Sequence, residues 1–149
     1  MATTDGVSTL DTTETSLRVV SKLKELDGAG VTELAEALDV APSTAHSHLT
    51  TLRENRYVVK EGDTYRLGLK FLDFGQYVRA NNDYYSLAES KVERLSEETG
   101  ARTHFIVEEH GQGVYVFTGS GKHGVETFAR DGRRMELHSA AAGKAILAY

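Results

Sequence analysis

Apolar residues recur first at helical and then at strand spacing along the front half of the chain, and the change of period outlines its elements. From Glu14, the positions Leu17, Val20, Leu23 and Leu26 place an apolar stripe on one face of a helix that stops at Gly28 and Gly30. Leu34, Ala35 and Leu38 define a short second helix ending near Asp39. It begins at Thr32, whose hydroxyl is placed to accept from an orphan amide of the first turn. Pro42 presets φ for the first turn of a third helix, in which Ala45, Leu49 and Leu52 fall at i, i+4 and i+7 and face inward.

The opposite face of that third helix carries Ser43, Thr44, His46, Ser47, Thr50 and Arg53. Two short helices joined by a tight turn, with small Ala35 and Ala45 permitting a close crossing, describe a helix-turn-helix whose second member reads DNA. The same polar residues also fit an ordinary solvated face on a helical bundle, so the elements next in the chain weigh in the choice. Tyr57 to Val59 predicts a strand, Glu61-Gly62-Asp63 a turn and Thr64 to Leu67 a returning strand. A hairpin in that position is a wing. Lys60 and Arg66 flank its tip, placed to meet phosphates or enter a minor groove, although isolated cations on a solvated hairpin carry no such meaning.

Leu67, Phe71, Phe74 and Val78 then form a stripe on a predicted helix from Leu69 to Ala80. That stripe is more apolar than a solvated linker tolerates, which points Phe71, Phe74 and Val78 at a second protomer. Asn81-Asn82-Asp83 marks a boundary. Beyond it the pattern predicts a helix over Tyr85 to Thr99 stopped at Gly100, the strands THFIVEE, VYVFT and VETFA, and a helix that starts near Ser139 in the segment LHSAAAGKAILAY. The fold class is α+β, divided into a mobile tail (1–13), a winged helix (14–68), a linker helix (69–83) and an effector unit (84–149). One long helix, a few strands and a helix broken off in progress cannot close a sheet, so the last unit reads as incomplete or completed by a partner.

Composition narrows the class. The chain has 149 residues, 40% of them hydrophobic, enough for one ordinary domain or two small ones. No apolar run approaches the roughly 18 residues of a membrane span, and MATTDGVSTLDTT has neither the basic nor the apolar part of a signal peptide, so a cytoplasmic protein is expected. The absence of cysteine excludes a disulfide framework, a thiol nucleophile and a cysteine-ligated zinc. The net charge of −5 is adverse for a nucleic-acid binder, and both halves about Ala80 are acidic, so DNA contact must rest on local basic residues. An acidic chain richer in Arg than Lys would suit a halophilic cytoplasm, where the Debye length falls to about 3 Å.

Other candidate chemistry is thin. His104, His110, His123 and His138 lie near glutamates, but their spacings match no paired-ligand pattern, and no metal or cofactor is expected. Gly119, Gly121 and Gly124 lack the GK[ST] ending of a phosphate loop. Arg130, Arg133 and Arg134 could hold an acid, though a polar arginine loop is most often just solvated. A better anion site is the helix start near Ser139, where Ala140 to Gly143 keep side chains clear of unpaired amides; close packing of a small-residue helix is the alternative.

Across nearly its whole length the chain resembles the IclR family of bacterial and archaeal transcription regulators. Three segments carry the resemblance: VAPSTAHSHLTTLRENRYV, YRLGLKFLDFG and, most specific, LHSAAAGKAILAY. The resemblance implies a homodimer or dimer of dimers that binds double-stranded operator DNA through Thr32, Ser43, Thr44, His46, Ser47, Thr50, Arg53, Lys60 and Arg66. It also implies a small organic effector, often a carboxylic acid, held near His138, Ser139, Ala140, Ala141 and Gly143 in a GAF-like domain. Ser47 departs from the arginine often found there, which implies a different operator. Arg56 stands where a helix-ending glycine is usual, leaving Asn55 to take the left-handed turn. Family members continue for about another hundred residues, a domain-sized length, so the chain is expected to be a fragment or a truncated product. The rival readings are a protein-binding winged helix, favoured by the negative charge, and an enzyme acting on a small acid, for which no activated nucleophile or paired carboxylates are in view.

Overall fold

The computed structural model describes residues 8–124 and 129–148, and its packing divides between Asp73 and Phe74 into two units. The first holds helices α1 (Asp11–Glu25), α2 (Val31–Leu38) and α3 (Pro42–Glu54), then the hairpin β1 (Val58–Glu61) and β2 (Thr64–Leu67). Its core is Val19, Leu23, Leu34, Leu38, Leu49, Val58 and Tyr65, each nearly or fully withdrawn from solvent.

Helix α1 begins three residues ahead of the predicted Glu14, with Asp11 and Glu14 in the first turn, where the helix dipole favours acids. It buries Val19 and Leu23, while Leu17 is 62% and Leu26 38% exposed, against the predicted stripe. The predicted stripe and the buried one overlap at Leu23, and the packing of Val19 into the Leu34 and Leu49 cluster decides between them.

Helix α2 starts at Val31, one residue before Thr32, because Gly30 takes the extended cap conformation and its carbonyl accepts from Leu34 N at 3.0 Å. No side chain caps that end, which removes the capping role expected of Thr32. Its other end closes on Asp39, left-handed at φ 55°, while the Arg18 guanidinium donates to the Leu38 carbonyl at 2.8 Å. Helix α3 has Pro42 in its first turn, Ala45 and Leu49 fully buried and Leu52 half-buried. Beyond it Arg56, not Asn55, is left-handed: φ is 64° at Arg56 and −91° at Asn55. The backbone reverses at Arg56, and a non-glycine residue bears the strain there.

The wing pairs Val58 with Leu67 through to Glu61 with Thr64, leaving Gly62 and Asp63 as a two-residue turn with φ 60° at Gly62. Ala29 and Tyr65 exchange backbone hydrogen bonds of 3.0 and 2.9 Å, tying the α1–α2 connection to β2.

Helix α4 (Lys70–Ala80) carries the boundary. The second unit continues with α5 (Asp83–Thr99), β3 (Arg102–Glu109), β4 (Gln112–Ser120), β5 (Arg134–Glu136), a 3-10 turn (Leu137–Ser139) and α6 (Ala141–Leu147). Asn82 caps α5, its side chain accepting from Tyr84 N at 3.1 Å, and Gly100 ends it at φ 68°. Among the described residues the sheet runs β3-β4-β5, all antiparallel, with Val92 of α5 packed on Val116 and Phe117. The third predicted strand, VETFA, lies outside the described residues except for Ala129. Strand β5 is three residues long, too short for a periodic signal, and its pairing to β4, Val114 opposite Arg134, defines it. Helix α6 begins at Ala141 rather than near Ser139, because Ser139 closes the 3-10 turn by donating Oγ to the Glu136 carbonyl at 2.6 Å.

Candidate nucleic-acid interface and effector cleft

The period of α3 separates its two faces. Ala45 and Leu49 are at 0% exposure, whereas Ser43, Thr44, His46, Ser47 and Arg53 are exposed and Thr50 is half-buried at the rim. The Ser47 hydroxyl donates back to the Ser43 carbonyl at 2.9 Å, which leaves its oxygen as an acceptor. Arg53 lies beside Glu54 at 3.2 Å; both are largely solvated, and such a pair is worth about 0–1 kcal/mol, so the guanidinium is readily released to a phosphate. Thr32 is exposed in the first turn of α2.

The wing differs from expectation. Cross-strand partners share a face, and the register sets Lys60 opposite Tyr65 but Arg66 opposite Val59, so the two cations lie on opposite faces of the hairpin. Arg66 bonds to the Asp27 carbonyl and stands 3.3 Å from the Asp27 carboxylate and 3.6 Å from Glu61, all of them exposed contacts. Lys60 lies 5.5 Å from the Tyr65 ring and 3.9 Å from Asp63. Both cations are engaged only in exposed pairs.

The predicted dimerisation stripe divides as well. Phe71 is half-buried with its ring edge-on to Tyr57 at 5.4 Å, so it serves the fold of its own chain. Phe74 and Val78 are 43% and 63% exposed, joined by Leu72 at 58% and Tyr77 at 67%; α4 buries none of its residues.

In the second unit a cleft of about 510 Å³ is lined by His104, Tyr115, Arg133, Arg134, Ser139 and Ala140 among others. Three of the five predicted effector residues reach it: His138, Ser139 and Ala140. Ala141 and Gly143 do not. Gly143 is buried, and a Cβ there would stand 2.0 Å from the Leu137 carbonyl oxygen, so its smallness serves packing. The cations are Arg133 and Arg134, two of the three arginines that the sequence offers as holders of an acid or as a solvated loop. Arg134 donates to the Glu109 carbonyl at 3.1 Å and pairs with its carboxylate. Burial pushes the His104 imidazole below its ordinary value, Arg102 adds to that, and Asp131 opposes it; His104 Nδ1 is 3.3 Å from Thr118 Oγ1. Among the described residues no group of three or more His, Asp or Glu side chains forms that could hold a metal.

Comparison with known proteins agrees with this architecture. The IclR helix-turn-helix domain matches residues 14–62, and the bacterial transcriptional regulator IclR C-terminal domain matches residues 76–149. The probable HTH-type transcriptional regulator ArcR of Halobacterium salinarum is 31% identical over 138 residues, covering 90% of this chain and 52% of the relative. XynR of Escherichia coli, an HTH-type transcriptional regulator, is 32% identical over 121 residues, covering 80% of this chain and 48% of its own. The crystal structure of Thermotoga maritima IclR matches with a TM-score of 0.74 at 25% identity, over 93% of this chain and 57% of that one. The chain spans about half the length of the curated relatives it matches. Both of these relatives are named as transcriptional regulators. Two successive domain matches, in the order that the fold displays them, place this chain in the IclR family of transcriptional regulators.

Proposed function

We propose that this chain binds double-stranded operator DNA as a dimer through its winged helix, with its second unit responding to a small organic acid. The observation that carries the DNA reading is the division of α3. One face is locked into the core by Ala45 and Leu49, and the other offers Ser43, Thr44, His46, Ser47 and Arg53 to solvent. Short hydroxyls and an imidazole can reach base edges in a major groove, while Arg53 and Lys60 supply phosphate contacts that position without specifying. The apolar side chains left exposed on α4 favour a second copy as their cover.

For the effector, the cleft brings Arg133, Arg134 and His138 beside Ser139 and Ala140; with Arg134 paired to Glu109 and Glu136 also in the lining, Arg133 carries the preference for an anion. Coupling requires only that such a ligand bind two arrangements of the dimer with different affinity.

The net charge of −5 favours a second reading, a winged helix that binds protein. One experiment separates the two: enrichment of duplexes from a random pool, followed by gel-shift titration of the enriched duplex at several salt concentrations. The DNA reading predicts an enriched motif and an affinity that falls steeply as salt rises. Absence of any enriched motif would favour the protein partner.

A further inference from the structure

Resting on the reading that α3 contacts DNA, we infer that His48 sets the pose of that helix by donating a hydrogen bond from Nδ1 to Ser16 of α1. The two residues are 32 positions apart, and Ser16 Oγ stands 2.8 Å from His48 Nδ1 at a half-buried site. Ser16 Oγ also lies 3.1 Å from the Thr12 carbonyl oxygen, which can only accept. A hydroxyl has one proton. Both contacts are hydrogen bonds together only if that proton goes to Thr12 and the imidazole donates to the hydroxyl oxygen. The Nδ1–H form of His48 follows from that count.

The rest of the α1–α3 contact is apolar, with Val19 and Leu23 of α1 and Leu49 of α3 sharing one core cluster. Apolar burial is non-directional, so it holds helices together without fixing the rotation of one on the other. A hydrogen bond does fix distance and angle. His48 follows Ser47 directly and precedes Thr50 by two, so a small rotation of α3 about its own axis carries both of those side chains with it. Arg18, which donates to the Leu38 carbonyl at 2.8 Å, holds the end of α2 from the same helix, so α1 anchors both arms of the helix-turn-helix. His48 is thus a positioning residue, acting on recognition through α3 without touching a base.

The test uses the full chain and a duplex enriched from a random pool by the wild type. Ser16→Ala and His48→Leu should each weaken binding about fivefold, the effect of one net hydrogen bond. His48→Asn places its amide Nδ2–H where Nδ1–H stood and should restore most of that loss, whereas His48→Gln, with its amide at the Nε2 position, should not. In a Ser16→Ala background His48→Asn should have no advantage. Nitrogen-15 NMR of the imidazole should place the proton on Nδ1. A bare Nδ1, affinities that stay at the wild-type value in all variants, or a His48→Asn loss equal to that of His48→Leu would overturn the inference. So would unfolding midpoints that account for the whole affinity loss. Failure of the wild type to enrich any duplex would overturn the DNA reading and this inference with it; enrichment with insensitive variants would overturn this inference alone.

Discussion

Gly143 of α6 lies against the backbone of Leu137 so closely that a Cβ at 143 would stand 2.0 Å from the Leu137 carbonyl oxygen and 2.6 Å from its carbon. Neither atom can move without disturbing the 3-10 turn that carries His138 and Ser139 into the cleft. Glycine inside a helix ordinarily costs about 1 kcal/mol relative to alanine, so Gly143→Ala would stabilise an open helix. Here the clash outweighs that gain. The variant should be destabilised by about 1–3 kcal/mol, as forced overpacking generally is, read from denaturant unfolding of the chain. An increase in stability would mean that α6 does not pack against Leu137.

The exposed stripe of α4 predicts the assembly. Phe74→Asp combined with Val78→Asp should convert a dimer into monomers, since burying carboxylates in an apolar seam costs several kcal/mol. Phe71 is left intact because its ring packs edge-on to Tyr57 within one chain. Light scattering at equal concentration reads the mass. A double variant that keeps the wild-type mass would place the interface elsewhere.

His104 predicts a pH dependence. Its folded pKa is lowered, first by burial and then by Arg102, so the unfolded chain binds the proton more readily. Stability should therefore fall as pH drops below the ordinary histidine value of 6.5, and level off below the folded value. Above 6.5 the residue should contribute no slope. His104→Gln should flatten this segment in urea midpoints measured between about pH 5 and 8, the range in which an ordinary histidine changes charge. A variant with the wild-type slope would remove His104 as its source.

The cleft predicts an effector response that separates from DNA binding. Arg133→Ala should weaken binding of small carboxylates in calorimetric titration while leaving affinity for the enriched duplex unchanged. Arg133 lies beside Arg134 and His138 in the cleft and outside the winged helix. Unchanged carboxylate affinity would move the anion site away from this cleft.

How much of the fold is legible in the sequence depends on how local each signal is. The faces of α3 are legible because Ala45, Leu49 and Leu52 repeat at one unambiguous helical period and Pro42 fixes the start. The turn at Gly62-Asp63 is legible through its own residues. The face of α1 is not, since Leu17 and Val19 both belong to plausible stripes and only the Leu34 and Leu49 cluster chooses. Thr32 has the chemistry of a cap, but the extended backbone of Gly30 that displaces it leaves no mark in a side chain. The contact of Arg66 with the Asp27 carbonyl spans 39 positions. The cleft joins His104 of β3 and Tyr115 of β4 to Arg134 of β5, and β5 exists only through its register with β4. Long-range pairings of that kind leave no periodic trace.

The proposed reading of DNA turns on α3, and the most direct measurement is the duplex motif selected by Ser47→Arg compared with that selected by the wild type. Ser47 is exposed midway along α3, and an arginine there presents a bidentate donor to guanine. The variant should select guanine at a new position in each half-site, preferring it by about 1–3 kcal/mol, with the rest of the motif kept. A variant that selects the wild-type motif at unchanged affinity would show that the exposed face of α3 does not touch the bases.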